Sequence, residues 1–535
     1  MSANPSLLTI IAHARSGALD YAWRLLRDAG LDRVNDDPAV LSVLGRLLKD
    51  SALRTVGEER RRLYCEAAAA YGRAGKIGGS TYPLINAATL LLLAGQREQA
   101  HTLARRVLAF IQQSSNETET PYYRAATRAE ALLLLGKTVQ AKAAFADAMS
   151  LAPRAFEDHA STLRQFTLIL DELGEDKAWL EPHRPPRTLH YAGHMATSVE
   201  GDVIGGQIRK VIREERIGFG YGALAAGADI HIAEALLKEG AELHLILPAT
   251  LAKFREMSVT RFGDGWAERF DRILEAADSI RAVGTESNPS STLALQLAAE
   301  VAMGCAVMQA DALTTDAVQL LILDQNDPTD IRTGSSDWIG SAWGKTGHRQ
   351  HVLAVPRVPT NVDAMELDSP PEASRCLAAI LRIKWPDADA KLVMGEIIPR
   401  LADVLANGPA PIIMPRLTED ALLLAFGTPT HAACAAVAAV TALAGVADIC
   451  VAGHYGIALR ADDPFGGAPL LLGPAAALPG QILLSTPPGA VHLSEDFAMA
   501  LHAGPAQKRP RIEYIGELPT ADTGVIRLYA LIGRA

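Results

Sequence analysis

The sequence predicts a multidomain protein in which an all-α helical repeat is followed by two domains that contain β-sheets. Two observations predict this order. A Gly-x4-Ala signature recurs in the first 180 residues, and strands alternate with helices between residues 186 and 356. A third segment, residues 372–535, carries its own set of predicted strands and helices. The length of 535 residues suits several domains, each long enough to bury its own core.

The composition excludes several classes of function. Lys and Arg number 51 against 61 Asp and Glu, which gives a formal net charge of -10. Broad binding of nucleic acid or anionic membranes needs a clustered basic surplus, so neither partner is expected. The five cysteines are scattered without CxxC spacing and predict reduced thiols rather than disulfides or a metal site. No signal peptide is evident in the opening residues, and we expect a cytoplasmic protein.

The Gly-x4-Ala signature marks helix pairs in residues 1–180. Gly95 and Gly136 each follow an apolar helix, and the signature also occurs at Gly17. A small pair of this kind lets two antiparallel helices pack closely around a tight turn, as in tetratricopeptide repeats. The run YPLINAATLLLLAG followed by YYRAATRAEALLLLG resembles the helical TRAF-binding domain of signalling proteins. Both the pattern and the resemblance imply an extended surface for protein partners.

Residues 186–356 predict a Rossmann-like α/β domain. A Pro-rich boundary precedes predicted strands at 188–192, 217–221 and 242–247, with helices between them. Such alternation predicts parallel βαβ units with right-handed crossovers, whose ligands bind at the carboxyl ends of the strands. A covered helix at 293–308 and strands at 317–323 and 351–355 continue the pattern. The segment 338–347 is predicted to be a loop, and its Gly-Lys-Thr lacks the first glycine of a Walker motif.

Three motifs in this domain resemble the SLOG superfamily, relatives of the LOG and DprA Rossmann-like proteins. A strand ends in Gly193-His194, a G-x4-G-A-D turn spans Gly222 to Asp229, and a later strand ends in Leu247-Pro248. The resemblance implies a nucleotide-derived ligand. The LOG motif P-G-G-x-G-T-x-x-E is absent, so nothing indicates phosphoribohydrolase chemistry.

We take Gly193, His194, Gly222, Gly227 and Asp229 as the candidate nucleotide-binding residues. The glycines of the turn either expose backbone N–H groups to a phosphate or only shape the turn. Asp229 is most simply a helix N-cap, and contact with a ribose hydroxyl is the alternative. His194 either binds the ligand or is merely packed.

The last segment resembles a class III adenylate/guanylate cyclase that has lost its catalytic residues. From Gly473 the sequence GPAAALPGQILLSTPPGAVHLSEDFAMAL keeps the family's frame, and the hairpin LTEDALLLAF keeps Asp420. The resemblance implies an α+β ferredoxin-like fold over residues 372–535. It also implies head-to-tail dimers with composite sites at the interface, and hence a homodimer or higher oligomer. A domain of this family that has lost its catalytic residues keeps either that interface for dimerisation or the base pocket as a ligand sensor.

The catalytic positions of that frame hold other residues. Ala477 and Gln481 stand where the family keeps its transition-state Asn and Arg, and Ile383 stands at the first metal-binding Asp. Asp420 keeps the second metal position, but one carboxylate cannot bridge two cations. Asp387, which follows Pro386, either substitutes for the missing carboxylate or lies in a solvated turn. Ala521 and Asp522 stand where a base-reading Lys is usual.

Three functions therefore compete. The first is a non-catalytic signalling protein that senses a nucleotide-derived ligand, or a cyclic nucleotide, through residues 186–356. The second is an enzyme, either a divergent cyclase that uses Asp420 and Asp387 or a SLOG-type nucleotide hydrolase. The third is a scaffold whose helical repeats recruit partners. No cofactor and no metal are expected in the first and third functions.

Overall fold

The computed structural model describes residues 6–113, 119–195, 197, 202–283, 291–324, 335–358, 375–386, 388–418, 420–463, 467–505, 510–520 and 524–532. The chain divides into two compact units, with the division between Pro185 and Pro186. The first unit is helical, and the second contains two β-sheets.

The described part of the first unit consists of nine α-helices and two short 3₁₀ turns. The helices are α1 (Leu7–Arg15), α2 (Leu19–Asp28), α3 (Pro38–Ala52), α4 (Gly57–Gly78), α5 (Thr81–Leu93), α6 (Arg97–Gln113), α7 (Pro121–Leu134), α8 (Thr138–Leu151) and α9 (Phe156–Leu173). Successive helices pack on one another as pairs, so the predicted helical repeat is confirmed.

The repeated glycines end the first helix of three pairs. Gly17, Gly95 and Gly136 have φ values of 83°, 79° and 70°, in the left-handed region that glycine adopts without strain. At each one, two backbone N–H groups donate back to the preceding helix in the same Schellman pattern. A Cβ on Gly95 or Gly136 would meet nothing within 4 Å, so small size is not the reason for these glycines. The expectation of close packing holds instead for the alanines five residues later, Ala22, Ala100 and Ala141, which are fully buried.

The second unit begins with a six-stranded parallel sheet, which confirms the predicted Rossmann-like arrangement. Its strands are β1 (Arg187–Gly193), β2 (Ile217–Gly222), β3 (Glu242–Leu247), β4 (Ser279–Ala282), β5 (Ala317–Leu323) and β6 (Arg349–Ala354). They lie in the order β4-β3-β2-β1-β5-β6. The chain builds outward from β1 to β4 and then crosses back to β5, so the topological switch point lies between β1 and β5.

Six helices connect these strands. They are α10 (Asp202–Glu214), α11 (Ala228–Lys238), α12 (Leu251–Ser258), α13 (Asp264–Ala276), α14 (Thr292–Leu313) and α15 (Ser336–Gly344). The prediction of a loop at 338–347 was wrong, because most of this segment lies in α15. Ser335 caps α15 by accepting the N–H of Trp338, and the fully buried ring of Trp343 packs under the sheet, so burial of the aromatics favours a helix.

The second unit ends with a mixed sheet, called here the C-terminal sheet. Its strands are β7 (Arg375–Lys384), β8 (Arg416–Leu417), β9 (Ala421–Phe426), β10 (Cys450–Ala461), β11 (Leu470–Leu472), β12 (Val491–Ser494), β13 (Arg511–Thr520) and β14 (Gly524–Ile532). The described order is β13-β14-β12-β10-β7-β9-β8, with β11 on β10. The part β10-β7-β9-β8 has the fourth-first-third-second strand order of a ferredoxin-like βαββαβ unit, as predicted.

Helices flank the C-terminal sheet. They are α16 (Ala390–Leu392), which a π-helical turn joins to α17 (Ile398–Ala406), and α18 (Pro429–Leu443), α19 (Pro474–Leu483) and α20 (Glu495–His502).

Helix α14 packs against both sheets. One side lies on β1, β2, β3 and β5, and the other side lies against α20, β7 and β10. Where α14 crosses α20, a Cβ on Gly304 would lie 1.8 Å from the carbonyl oxygen of Met499. Among the described helices, α14 alone is long and apolar enough to cross a membrane by length and composition. Its two packing partners explain why it is apolar on all sides.

A buried carboxylate fastens the amino edge of the six-stranded sheet. Glu215, at the end of α10, accepts hydrogen bonds from Arg187 (2.9 Å), Arg349 (2.8 Å) and His351 (2.9 Å). Burial by itself would raise the pKa of Glu215, but the bonds from His351 and Arg349 and the charge of Arg187 lower it overall. The cluster therefore joins β1 to β6 through one ionised side chain.

We predict that Glu215→Gln lowers the free energy of unfolding by about 1–3 kcal/mol at neutral pH, because two guanidinium groups lose their shared anion. Since the folded pKa is lowered, the ionised carboxylate contributes stability above about pH 4.3, the ordinary glutamate value. That contribution is lost as the pH falls through the folded value. Chemical denaturation at several pH values should show the variant approaching wild type in acid. Glu239→Gln, which removes a surface partner of Arg213, is the matched control and should cost less. Equal losses for the two variants would contradict this account.

Candidate functional site

The five sequence-predicted residues of the Rossmann-like domain come together at the carboxyl edge of its sheet. Gly193 and His194 end β1, and Gly222 ends the neighbouring strand β2. Gly227 and Asp229 begin α11, whose Ala228 N–H donates to the carbonyl of His194 over 3.2 Å. An isolated bridge between Met195 and Gly227 adds a second link. The turn between β2 and α11 is thus fastened to the end of β1.

Close packing fixes two of the glycines. A Cβ on Gly193 would lie 2.3 Å from the Cβ of Ala228, and one on Gly222 would lie 2.6 Å from Cε2 of Tyr191. Gly227 has φ 116° and ψ -126°, a backbone conformation that side-chain-bearing residues rarely adopt. The glycines therefore shape the turn and let α11 approach β1. Whether the N–H groups of the turn also meet a phosphate stays a prediction.

Asp229 is not the N-cap of α11, which corrects the simpler of its two predicted roles. The N-cap is Gly227, and Asp229 lies in the first helical turn. Its buried carboxylate accepts the N–H of Ala225 over 3.1 Å and a second backbone hydrogen bond from Gly193. Burial raises the pKa of Asp229 to about 7, although both bonds oppose the shift. The carboxylate holds the turn against β1 and titrates near neutral pH.

His194 is buried and joins two strand ends. Its Nδ1 lies 2.8 Å from the carbonyl oxygen of Met195, and its Nε2 lies 2.8 Å from that of Val355, which follows β6. A neutral imidazole carries one N–H and donates to one of these carbonyls only. Both ring nitrogens thus face the backbone, which agrees with the packed alternative for this side chain.

One polar group at this edge was missed by the sequence prediction. Thr197 follows β1, is 4% exposed, and its hydroxyl has no hydrogen-bond partner among the described residues. A buried hydroxyl without a partner is uncommon and calls for one. A single threonine after a strand carries no sequence signal that could have singled it out. Residues 198–201, 284–290 and 325–334, which follow β1, β4 and β5, lie outside the described residues.

The metal position of the cyclase frame holds an ion pair between two protein side chains. Asp420 lies in the turn of the β8–β9 hairpin, and Nζ of Lys384 is 2.9 Å from its Oδ2. The hydrogen bond from Lys384 lowers the pKa of Asp420 against a smaller effect of burial, and the charges of Lys384 and Arg382 add to it. Ile383, at the first metal position, is fully buried. A cation beside a single carboxylate repels Mg²⁺, so these residues do not fit a two-metal centre. Lys384 was missed although it directly follows Ile383.

The two residues predicted to stand at the transition-state positions of the cyclase frame lie on α19. Ala477 is exposed on α19, and Gln481 lies one turn further along the same helix. Between them, Gly480 lies against Arg382, whose Nη1 would be 2.9 Å from an added Cβ. Asp387, Ala521 and Asp522 lie outside the described residues. Within the described ranges, no group of three or more His, Cys, Asp or Glu could hold a metal ion.

Comparison with known proteins gives a family match in the first unit. Residues 6–91 match the family model described as Tetratricopeptide Repeats-Sensor. No curated protein matches the chain.

Among solved structures, the chain is similar to nucleotide cyclase domains. The guanylate cyclase domain of RhGC from Catenaria anguillulae, in complex with GTP, is 12% identical with a TM-score of 0.25, over 30% of this chain and 97% of that one. The adenylyl cyclase CyaB from P. aeruginosa is 9% identical with a TM-score of 0.26, over 30% and 96%. The guanylyl cyclase Cya2 is 15% identical with a TM-score of 0.26, over 30% and 94%. The strand order β10-β7-β9-β8 itself defines the ferredoxin-like fold of the last segment.

We predict that the purified protein makes no cyclic nucleotide from ATP or GTP with Mg²⁺ or Mn²⁺. Each lost charge-stabilising group typically costs roughly 10²–10³-fold in rate. The cyclase resemblance predicts that Ile383, Ala477 and Gln481 replace three such groups. Product should stay at background in wild type and in Asp420→Ala, measured by chromatography of the nucleotides. Turnover in wild type that Asp420→Ala abolishes would contradict the prediction.

Proposed function

We propose that this protein is a non-catalytic signalling protein that senses a nucleotide-derived ligand through its six-stranded sheet. In this proposal the C-terminal sheet belongs to a pseudo-cyclase domain that pairs with a second copy of the chain. The helical repeats bind a partner protein. The observation that carries the non-catalytic part is the Lys384–Asp420 pair beside the buried Ile383, because it puts a protein cation where the cyclase reaction needs metal ions.

The topology of the six-stranded sheet supports ligand binding at its carboxyl edge. Open parallel sheets bind ligands outside the carboxyl ends of the strands at a topological switch point, and here β1 and β5 flank that point. The positive end of α11 begins beside His194. The hydroxyl of Thr197, which has no hydrogen-bond partner among the described residues, lies in the same part of the chain. The SLOG-like motifs indicate the class of ligand, because the resemblance to that superfamily implies binding of a nucleotide derivative.

Two sets of exposed apolar side chains support pairing through the C-terminal sheet. One set surrounds the β8–β9 hairpin and consists of Met394 (65% exposed), Met414 (67%) and Leu417 (54%). The other set lies where β11 pairs with the end of β10 and consists of Leu459 (41%) and Leu472 (44%). Exposed apolar patches of this kind mark interaction sites. In a two-fold, head-to-tail dimer the first set of each copy would meet the second set of the other.

The helical unit supports protein binding rather than catalysis. Its helix pairs present an extended surface, and the matched family model is described as a sensor. Tyr82 on α5 and Leu168 on α9 are 58% and 49% exposed, which leaves apolar anchors for a partner. The resemblance to the TRAF-binding domain indicates that the partners are signalling proteins. In this proposal the protein is cytoplasmic.

We predict that a nucleoside monophosphate, diphosphate or cyclic nucleotide raises the melting temperature of the full chain and releases heat in titration calorimetry. Thr197→Val keeps the side-chain shape but removes the hydroxyl, so affinity should fall roughly tenfold, equivalent to about 1.4 kcal/mol. Thr188→Val is the matched control, because Thr188 is a buried threonine at the amino end of β1 that donates to Ala306. It should lower stability without changing affinity. If the protein is folded but no nucleotide raises its melting temperature, the sensor proposal is contradicted and the scaffold function replaces it.

We predict that the chain is dimeric and that Leu417→Glu and Leu472→Glu each raise the dimer dissociation constant at least about tenfold, since a charge would enter an apolar contact. Val139→Glu changes a side chain that is 83% exposed on α8 and should leave the constant unchanged. Sedimentation velocity over a concentration series measures the constant. A monomeric wild type, or equal effects of all three substitutions, would overturn the pairing.

A further inference from the structure

A cavity of about 830 Å³ lies within the second unit, between the two sheets. Strands β3 and β4 and helix α14 form one wall, and β10, β14, α19 and α20 form the other. The five candidate nucleotide-binding residues do not line it, and neither do Ile383, Asp420, Ala477 or Gln481. The cavity is therefore separate from both sites that the sequence predicted.

The lining of the cavity carries an excess of negative charge. Its carboxylates are those of Glu242, Glu495, Asp496 and Glu517, whereas its guanidinium groups are those of Arg281 and Arg527. Burial lowers the pKa of the two histidines in the lining, His244 and His454, so neither adds a positive charge at neutral pH. With four anions against two cations, the walls favour a positive guest.

The arginines do not compensate the carboxylates fully. Glu495 forms ion pairs with both arginines. Its carboxylate oxygens lie 3.0 Å from Nη1 of Arg281 and 3.7 Å from Nη1 of Arg527. Arg281 also pairs with Asp496, and Arg527 also pairs with Glu517 over 3.6 Å. Burial nevertheless raises the pKa of Glu495, although both arginines oppose this. A further cation in the cavity would stabilise the ionised form of that carboxylate.

Aromatic and apolar side chains form another part of the lining. The rings of Tyr221 and His244 stack with their centroids 4.8 Å apart and their planes 16° apart. A hydrogen bond of 2.8 Å between Nδ1 of His244 and Oγ of Ser279 fixes the imidazole. Ile280 and Leu478 contribute apolar surface. Such walls suit a planar aromatic group, and the volume falls within the range of sites for small organic ligands.

We propose that this cavity binds an organic cation with a planar aromatic part. The ring lies along the apolar and aromatic wall, and the charged group lies at Glu495. A phosphate-bearing ligand is disfavoured here by the four carboxylates, so the cavity and the proposed nucleotide site take ligands of opposite charge. Because the cavity is bounded by both sheets, its occupant contacts the Rossmann-like and the C-terminal parts together.

Three indole compounds with one ring system and different charges test the proposal on the full chain. Tryptamine carries an ammonium group, tryptophol is neutral, and indole-3-acetate carries a carboxylate. At equal millimolar concentrations, the melting temperature should rise most with tryptamine, less with tryptophol, and not at all with indole-3-acetate. A rise with none of them, or an equal or larger rise with indole-3-acetate, would overturn the proposal.

Substitutions of residues that line the cavity test whether tryptamine binds there. Ala282→Trp, at the exposed end of β4, should narrow the cavity and weaken the tryptamine effect. Glu495→Gln should weaken tryptamine binding roughly tenfold. Glu517→Gln, on the exposed edge strand β13, should weaken it in the same direction and covers the case in which the Glu495 variant does not fold. Glu239→Gln, outside the lining, should bind as wild type does. Unchanged binding in Ala282→Trp, or no effect of the folded Glu495 and Glu517 variants, would contradict the site.

Discussion

Helix α14 packs against two sheets at once, and the fold of the second unit depends on this packing. An amphipathic helix buries one stripe and keeps a polar face for water, but α14 lies between the six-stranded sheet and the C-terminal elements. Its buried residues therefore occur on all sides, and Gly304 replaces a side chain where α20 crosses it. The same contact brings β4 opposite α20 and leaves the charged cavity between the sheets. The Rossmann-like part and the ferredoxin-like part are thereby packed into one unit.

The sites within this unit differ in how their polar groups are used. At the metal position of the cyclase frame, Lys384 neutralises Asp420, so the charge that would attract Mg²⁺ is already compensated. At the carboxyl edge of the six-stranded sheet, Asp229 and His194 bond to the backbone, and the hydroxyl of Thr197 is left over. The lining of the cavity holds four carboxylates and two guanidinium groups.

Local patterns were enough to predict much of the fold. The Gly-x4-Ala signature located the helix turns, and alternating strands and helices predicted the parallel sheet. The reasons behind individual residues were harder to predict, since they depend on tertiary partners. Asp229 has the sequence position of an N-cap but faces back to Gly193, and the segment around Trp343 forms a helix because its ring is buried. Glu215, Lys384 and the cavity lining act through partners distant in sequence or across strands, which spacing along the chain does not reveal.

The most direct measurement compares Gly304→Ala with Gly206→Ala by hydrogen exchange of the full chain. In a helix with open surroundings, alanine stabilises relative to glycine by about 1 kcal/mol, and Gly206 on α10 has such surroundings. If α14 holds both sheets, Gly304→Ala should instead speed exchange in peptides from β2 and β3 and in peptides from α20, while Gly206→Ala slows exchange or leaves it unchanged. Protection that stays the same or increases on both sides of α14 in the Gly304 variant would contradict the account.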